Sequence, residues 1–219
     1  MSAGTAAKNG HADRLDPVAW PRRGSPWRDS SRPASLDRRR AEHAAREMLD
    51  ALGIDVESES IRETPRRMVG VLEELLSAES FNPTTFPNDA GYDELVVARG
   101  IPFHSLCEHH VLPFSGVAYV GYLPGERIVG LSKLARVVDL FARDLQVQER
   151  LTQQIADWLE EHLAPRGVGV VLEAEHLCMS LRGVQKPGAR TVTSALHGVV
   201  RDDPRTRQEF LALTGDRRG

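Results

Sequence analysis

The stretch Phe103-His104-Ser105-Leu106-Cys107-Glu108-His109-His110-Val111-Leu112-Pro113-Phe114 packs a thiol and two imidazoles into four consecutive residues. Such a density of sulfur and nitrogen donors points to a metal. On either side, residues 95–104 and 114–123 read as strands; the second sets Val117, Tyr119 and Gly121 against Ala118, Val120 and Tyr122 with period two. The donor cluster therefore lies in the connection between two neighbouring strands. The other cysteine, Cys178, lies two residues after His176, so both thiols of the chain have histidine neighbours.

A third strand is expected at 168–175, continuing through His176 and Cys178, and a fourth at 191–200. Residues two apart on a strand share a face, which would set His176 and Cys178 side by side. Helical periodicity covers 36–52, through Leu36, Ala41, Ala44, Ala45, Met48, Leu49 and Leu52, and stops at Gly53. A second helix opens at Thr64-Pro65, read as N-cap and first helical residue, and carries Met68, Val71, Leu72, Leu75 and Leu76. Ser132 is read as the cap of a helix bearing Leu134, Val137, Val138, Phe141 and Leu145. Another helix carries Leu151, Ile155, Trp158, Leu159 and Leu163, and a short one spans 205–213. Helices and strands in this order predict an α+β domain on an antiparallel sheet. Residues 1–34 are rich in Gly, Ser, Pro and Arg and read as a disordered tail, followed by an N-terminal helical region at 35–92 and a catalytic domain at 93–219.

The 41% hydrophobic and 27% charged content is that of an ordinary globular protein, and a net charge of −3 gives no reason to expect nucleic acid or an anionic membrane as partner. No apolar run suits a membrane span or a secretory leader, so a cytoplasmic protein is expected. Two cysteines are too few for a disulfide scaffold and favour ligation in a reducing compartment.

Cys107 and His110 have the spacing that lets one turn present both to a tetrahedral zinc, and His109 should point elsewhere. With Cys178 as third ligand, a fourth position is left for water, and His109 and His176 are available for acid–base work. A closed site with one of those histidines as fourth ligand is the competing arrangement. Ser132, Lys133 and Arg136 at a helix start, with Arg182, form a candidate anion surface; the alternative is a solvated basic face. Gln148-Glu149 precedes a helix and either begins it or recognises a base, since one carboxylate can accept from both N1–H and the amino group of guanine.

In content and order, FHSLCEHHVLPFSG, GYLPGERIVGLSKLARVV, LQVQERLTQQIA, AEHLCMSLRGVQKPG and DPRTRQEFL resemble GTP cyclohydrolase I across residues 41–213. The resemblance implies the tunnelling fold: an antiparallel four-stranded sheet with helices packed on one side and an N-terminal helical extension. It also implies a decamer of two face-to-face pentamers with active sites at subunit contacts. It implies zinc on Cys107, His110 and Cys178, proton transfer by His109 and His176, and guanine recognition by Gln148 and Glu149. The triphosphate would lie against Ser132, Lys133, Arg136 and Arg182, with Arg67 contributed by a neighbouring subunit. The implied reaction opens the guanine five-membered ring of GTP, releases formate and yields 7,8-dihydroneopterin triphosphate without a redox cofactor. Gly70 and Val117 depart from the family pattern, standing where lysine is found in some or many members. Two other readings are a relative on the same fold that reduces a deazapurine nitrile with NADPH, and a non-enzymatic zinc-stabilised binding module.

Overall fold

Residues 36–215 are described by a computed structural model; the tail expected at 1–34 lies outside the described residues. Along the chain run α1 (Arg38–Ala51), α2 (Thr64–Leu75), β1 (Thr85–Pro87), β2 (Val96–Cys107), β3 (Pro113–Leu123), β4 (Arg127–Val129) and α3 (Leu131–Ala142). They continue as β5 (Leu145–Gln146), α4 (Gln148–Leu163), β6 (Gly167–His176), α5 (Leu177–Ser180), β7 (Arg190–His197), α6 (Gly198–Asp202) and α7 (Pro204–Thr214).

The four long strands are antiparallel neighbours in the order β2-β3-β6-β7, in keeping with the antiparallel sheet expected. The expected four-stranded sheet is nonetheless five-stranded, because β5 pairs in parallel with the end of β2 through Leu106↔Leu145 and Cys107↔Gln146. Two residues cannot display a period, and Leu145 falls in step with the apolar face of α3, so the helical reading absorbed it. A separate two-stranded sheet pairs β1 with β4.

One sheet face carries Ala98, Ala118, Val120, Tyr122, Val168, Val170, Leu172 and Ala174, and packs on Leu134, Val137, Val138, Leu151, Ile155 and Leu159 of α3 and α4. The helices were expected on one side only. The opposite face is also covered at one end, where Phe210 of α7 and Val200 of α6 bury Val171 against Val97, Tyr119 and Leu196. Two glycines create this seat. Gly121 and Gly169 are register partners, and a Cβ on them would come within 2.9 Å and 2.6 Å of the Phe210 ring, respectively. The ring thus lies directly on bare backbone. Phe210→Ala is expected to destabilise the fold by about 3–5 kcal/mol, read as a lowered urea midpoint; an unmoved midpoint would show that α7 is dispensable to the core.

Local starts and stops follow capping chemistry. Asp37 accepts from the backbone N–H of Arg40 at 3.0 Å to open α1, and Asp203 accepts from Thr206 N–H at 2.8 Å to open α7. Thr64 and Ser132, read as caps, instead lie within the first turns of α2 and α3, behind Glu63 and Gly130, neither of which makes a side-chain cap bond. β7 ends where Gly198 adopts φ 53° and sits so close to Arg166 that a Cβ would meet its carbonyl oxygen at 2.4 Å. At the far end of the sheet, β6 loses its β7 partner after Glu175↔Arg190 and its β3 partner after His176↔Phe114. Cys178, expected on this strand, therefore sits on the single turn α5. Among the described residues no helix is long and apolar enough to cross a membrane.

Candidate metal centre

The β2–β3 connection is pinned by backbone bonds that do not draw on the donor side chains. Cys107 N–H donates to Leu112 O at 2.9 Å, Val111 N–H to Cys107 O at 2.8 Å, and Glu108 N–H to Gln146 O on β5 at 3.0 Å. Val111 closes the turn at φ 54°, an unusual conformation for a β-branched residue and one that costs strain. Cys107 is buried at the end of β2, whereas His109 and His110 are exposed.

The folded chain brings the donor atoms of Cys107, His110 and Cys178 within 4.8 Å of one another, with His110 Nδ1 3.6 Å from Cys107 Sγ. Neither His109 nor His176 belongs to that set. His109, expected to point elsewhere, nevertheless has its Nδ1 3.8 Å from the same sulfur. Burial, and then the adjacent Cys107, push the Cys178 thiol above its ordinary range. The neighbouring sulfur disfavours ionisation of Cys178, and a divalent ion bound there would reverse that by stabilising the thiolate form. Two sulfurs and one imidazole are donors that zinc favours, so the residues fit it.

His176 is held differently. Its ring stacks on Phe114 with centroids 4.5 Å apart and planes 3° from parallel, and its Nε2 lies 2.8 Å from Gln148 Oε1. Burial holds its pKa below the usual histidine range, while nearby Glu149 pulls it upward. Glu149 is thus electrostatically in touch with this site and exposed in the first turn of α4. Gln148 behaves otherwise. Expected to share base recognition, it is only 2% exposed, and its amide is spent within the protein on Leu172 O, Thr191 O, Thr193 Oγ1 and His176.

Arg182, just past α5, is close enough to Cys178 to favour its thiolate. Ser132 and Arg136 are exposed on α3, and Lys133 Nζ stands 6.0 Å from the Phe81 ring centroid. Arg136 helps to line a cavity with Glu74, Ser77, Glu79, Asp139 and Arg143. Arg67 is exposed on α2 beside Glu63 and is not among the metal donors.

Two participants escape sequence reading. Phe114 looks like an ordinary strand residue until register pairs it with His176. Arg150 donates to Glu108 Oε2 at 2.7 Å, Leu145 O at 2.7 Å and Gln146 Oε1 at 2.9 Å, tying the donor turn to β5 and the start of α4. Its one available signal was a cation in a helix's first turn, where the dipole disfavours it and acceptors elsewhere must compensate.

The family model for GTP cyclohydrolase I matches residues 41–215. The GTP cyclohydrolase 1 of Aquifex aeolicus is 50% identical over 179 residues, covering 82% of this chain and 97% of the relative. That of Streptomyces avermitilis is 53% identical over 185 residues, covering 81% and 90%. A solved structure, the archaeosine synthase QueF-Like in the apo form, aligns with 48% of this chain and 93% of its own at 17% identity and a TM-score of 0.38, too remote to establish a shared fold.

Proposed function

The chain is an enzyme of the GTP cyclohydrolase I family, and from that premise we propose that it hydrolyses the guanine five-membered ring of GTP, giving formate and 7,8-dihydroneopterin triphosphate, with zinc as its metal. The observation that carries the finer reading is the convergence of Cys107, His110 and Cys178 with His109 and His176 left outside the donor set. When bound, zinc would lower the pKa of a coordinated water toward about 7 and so supply hydroxide at neutral pH.

The chain's own residues do the rest. His109, exposed beside Cys107, is placed to accept and return protons at the metal side of the substrate. His176, with its ring plane set by stacking on Phe114, is the second proton-transfer group. Glu149 accepts from N1–H and the 2-amino group of guanine, a donor pair that adenine does not present. Ser132, Lys133, Arg136 and Arg182 hold the triphosphate, with Arg67 reaching it from a neighbouring subunit of a homodecamer. Both cysteines belong to the donor set, which leaves no thiol as nucleophile for nitrile reduction. Two imidazoles outside that set disfavour a closed structural zinc site.

Purified protein supplied with zinc and GTP is expected to release one formate per GTP consumed and to yield a pterin that fluoresces after oxidation. Zinc uptake with no formate would support the non-enzymatic reading instead.

A further inference from the structure

We infer that Gln148 fixes the tautomer of His176, so that the neutral imidazole carries its proton on Nε2 and presents its lone pair from Nδ1. The argument begins with two backbone carbonyls. Gln148 Nε2 lies 3.2 Å from Leu172 O and 3.0 Å from Thr191 O, and carbonyl oxygens can only accept. The amide nitrogen must therefore face them, and an amide flip would set oxygen against oxygen twice. That orientation turns Oε1 toward His176 Nε2 at 2.8 Å, where an oxygen that can only accept requires a hydrogen on the imidazole.

The hydroxyls nearby agree on direction. Thr152 Oγ1 donates to Gln148 O at 2.7 Å, so the 2.6 Å bond between the Thr152 and Thr193 hydroxyls is donated by Thr193. Thr193 Oγ1 then has a lone pair for Gln148 Nε2, 3.1 Å away. Every donor in the chain from Thr193 to His176 has an acceptor, and the two Gln148 amide hydrogens are shared among three acceptors, Leu172 O, Thr191 O and Thr193 Oγ1. Phe114 stacks on the imidazole face and stops the ring from rotating out of this bond. Among the described residues His176 Nδ1 has no hydrogen-bond partner, which makes it the nitrogen available for proton transfer.

Gln148 is in this account a positioning residue rather than part of the base-recognition pair. Its role in turnover rests on the proposed function of His176; the tautomer itself does not. The test is solid-state ¹⁵N NMR of the full-length, zinc-loaded protein labelled at histidine ring nitrogens, with the His176 signals identified by their loss in His176→Asn. A protonated Nε2 with a bare Nδ1 is expected, and the reverse pattern overturns the inference. This spectrum needs no turnover, so an enzyme inactive on GTP that shows the expected pattern would sink the functional reading alone. In Gln148→Met the tautomer signals should become mixed, with kcat lowered about 10–100-fold and KM for GTP changed less than about threefold. A raised KM with unchanged kcat and unchanged His176 signals would overturn the inference and return Gln148 to substrate contact. Thr193→Val leaves both carbonyls in place and should keep the Nε2-protonated pattern; its loss there would also count against the inference.

Discussion

Serine in place of Cys107 is expected to abolish stoichiometric zinc binding and to lower formate release from GTP by at least about 10³-fold. The two readouts should fall together. A serine hydroxyl fills nearly the same space at a position that is 6% exposed, but it does not ionise at neutral pH to replace a thiolate. His110 and Cys178 then remain as a two-donor remnant, and the backbone bonds that shape the turn involve no side chain. The unfolding midpoint measured without metal should therefore shift little. A variant that keeps full turnover while metal analysis shows it empty would remove zinc from the reaction. His109→Asn is the companion measurement: it should retain zinc, because His109 is not in the donor set, while losing turnover.

Much of this site was legible because its chemistry is local. A C-x-x-H turn between two alternating strands names two candidate donors, which the fold brings together with Cys178, and the hairpin that carries them, and burial of β2 and β3 follows from the period of Val96, Ala98, Ala118, Val120 and Tyr122. What escaped is set by partners distant in sequence. Whether β6 extends to Cys178 depends on where β3 and β7 stop pairing with it, which no window of residues around Cys178 records. The second covered face depended on Phe210 meeting Gly121 and Gly169, three residues whose meaning appears only in register. Gln148 is the most instructive case. Its place beside Glu149 suggested a shared task, yet adjacent residues in a helix's first turn point about 100° apart, so one faces the sheet and the other solvent.

Glu149→Ala is expected to lower kcat/KM for GTP by roughly 30- to 5,000-fold, the equivalent of about 2–5 kcal/mol for removing the charged acceptor of two hydrogen bonds. Magnitudes separate this role from the ordinary one for a carboxylate at this position. As a helix-start residue Glu149 would contribute only about 0.3–1 kcal/mol through the dipole of α4, an effect visible as a small drop in unfolding midpoint and nearly absent from kinetics. Zinc content should stay at the wild-type level, since Glu149 is not among the donors. Substrate chemistry makes the test sharper. Inosine triphosphate keeps the N1–H but lacks the 2-amino group, so it should lose much of the wild-type rate and lose far less further in Glu149→Ala. The two changes remove the same contact, and their effects should fail to add. Fully additive losses would show that Glu149 does not touch the amino group, leaving it the smaller task of starting the helix.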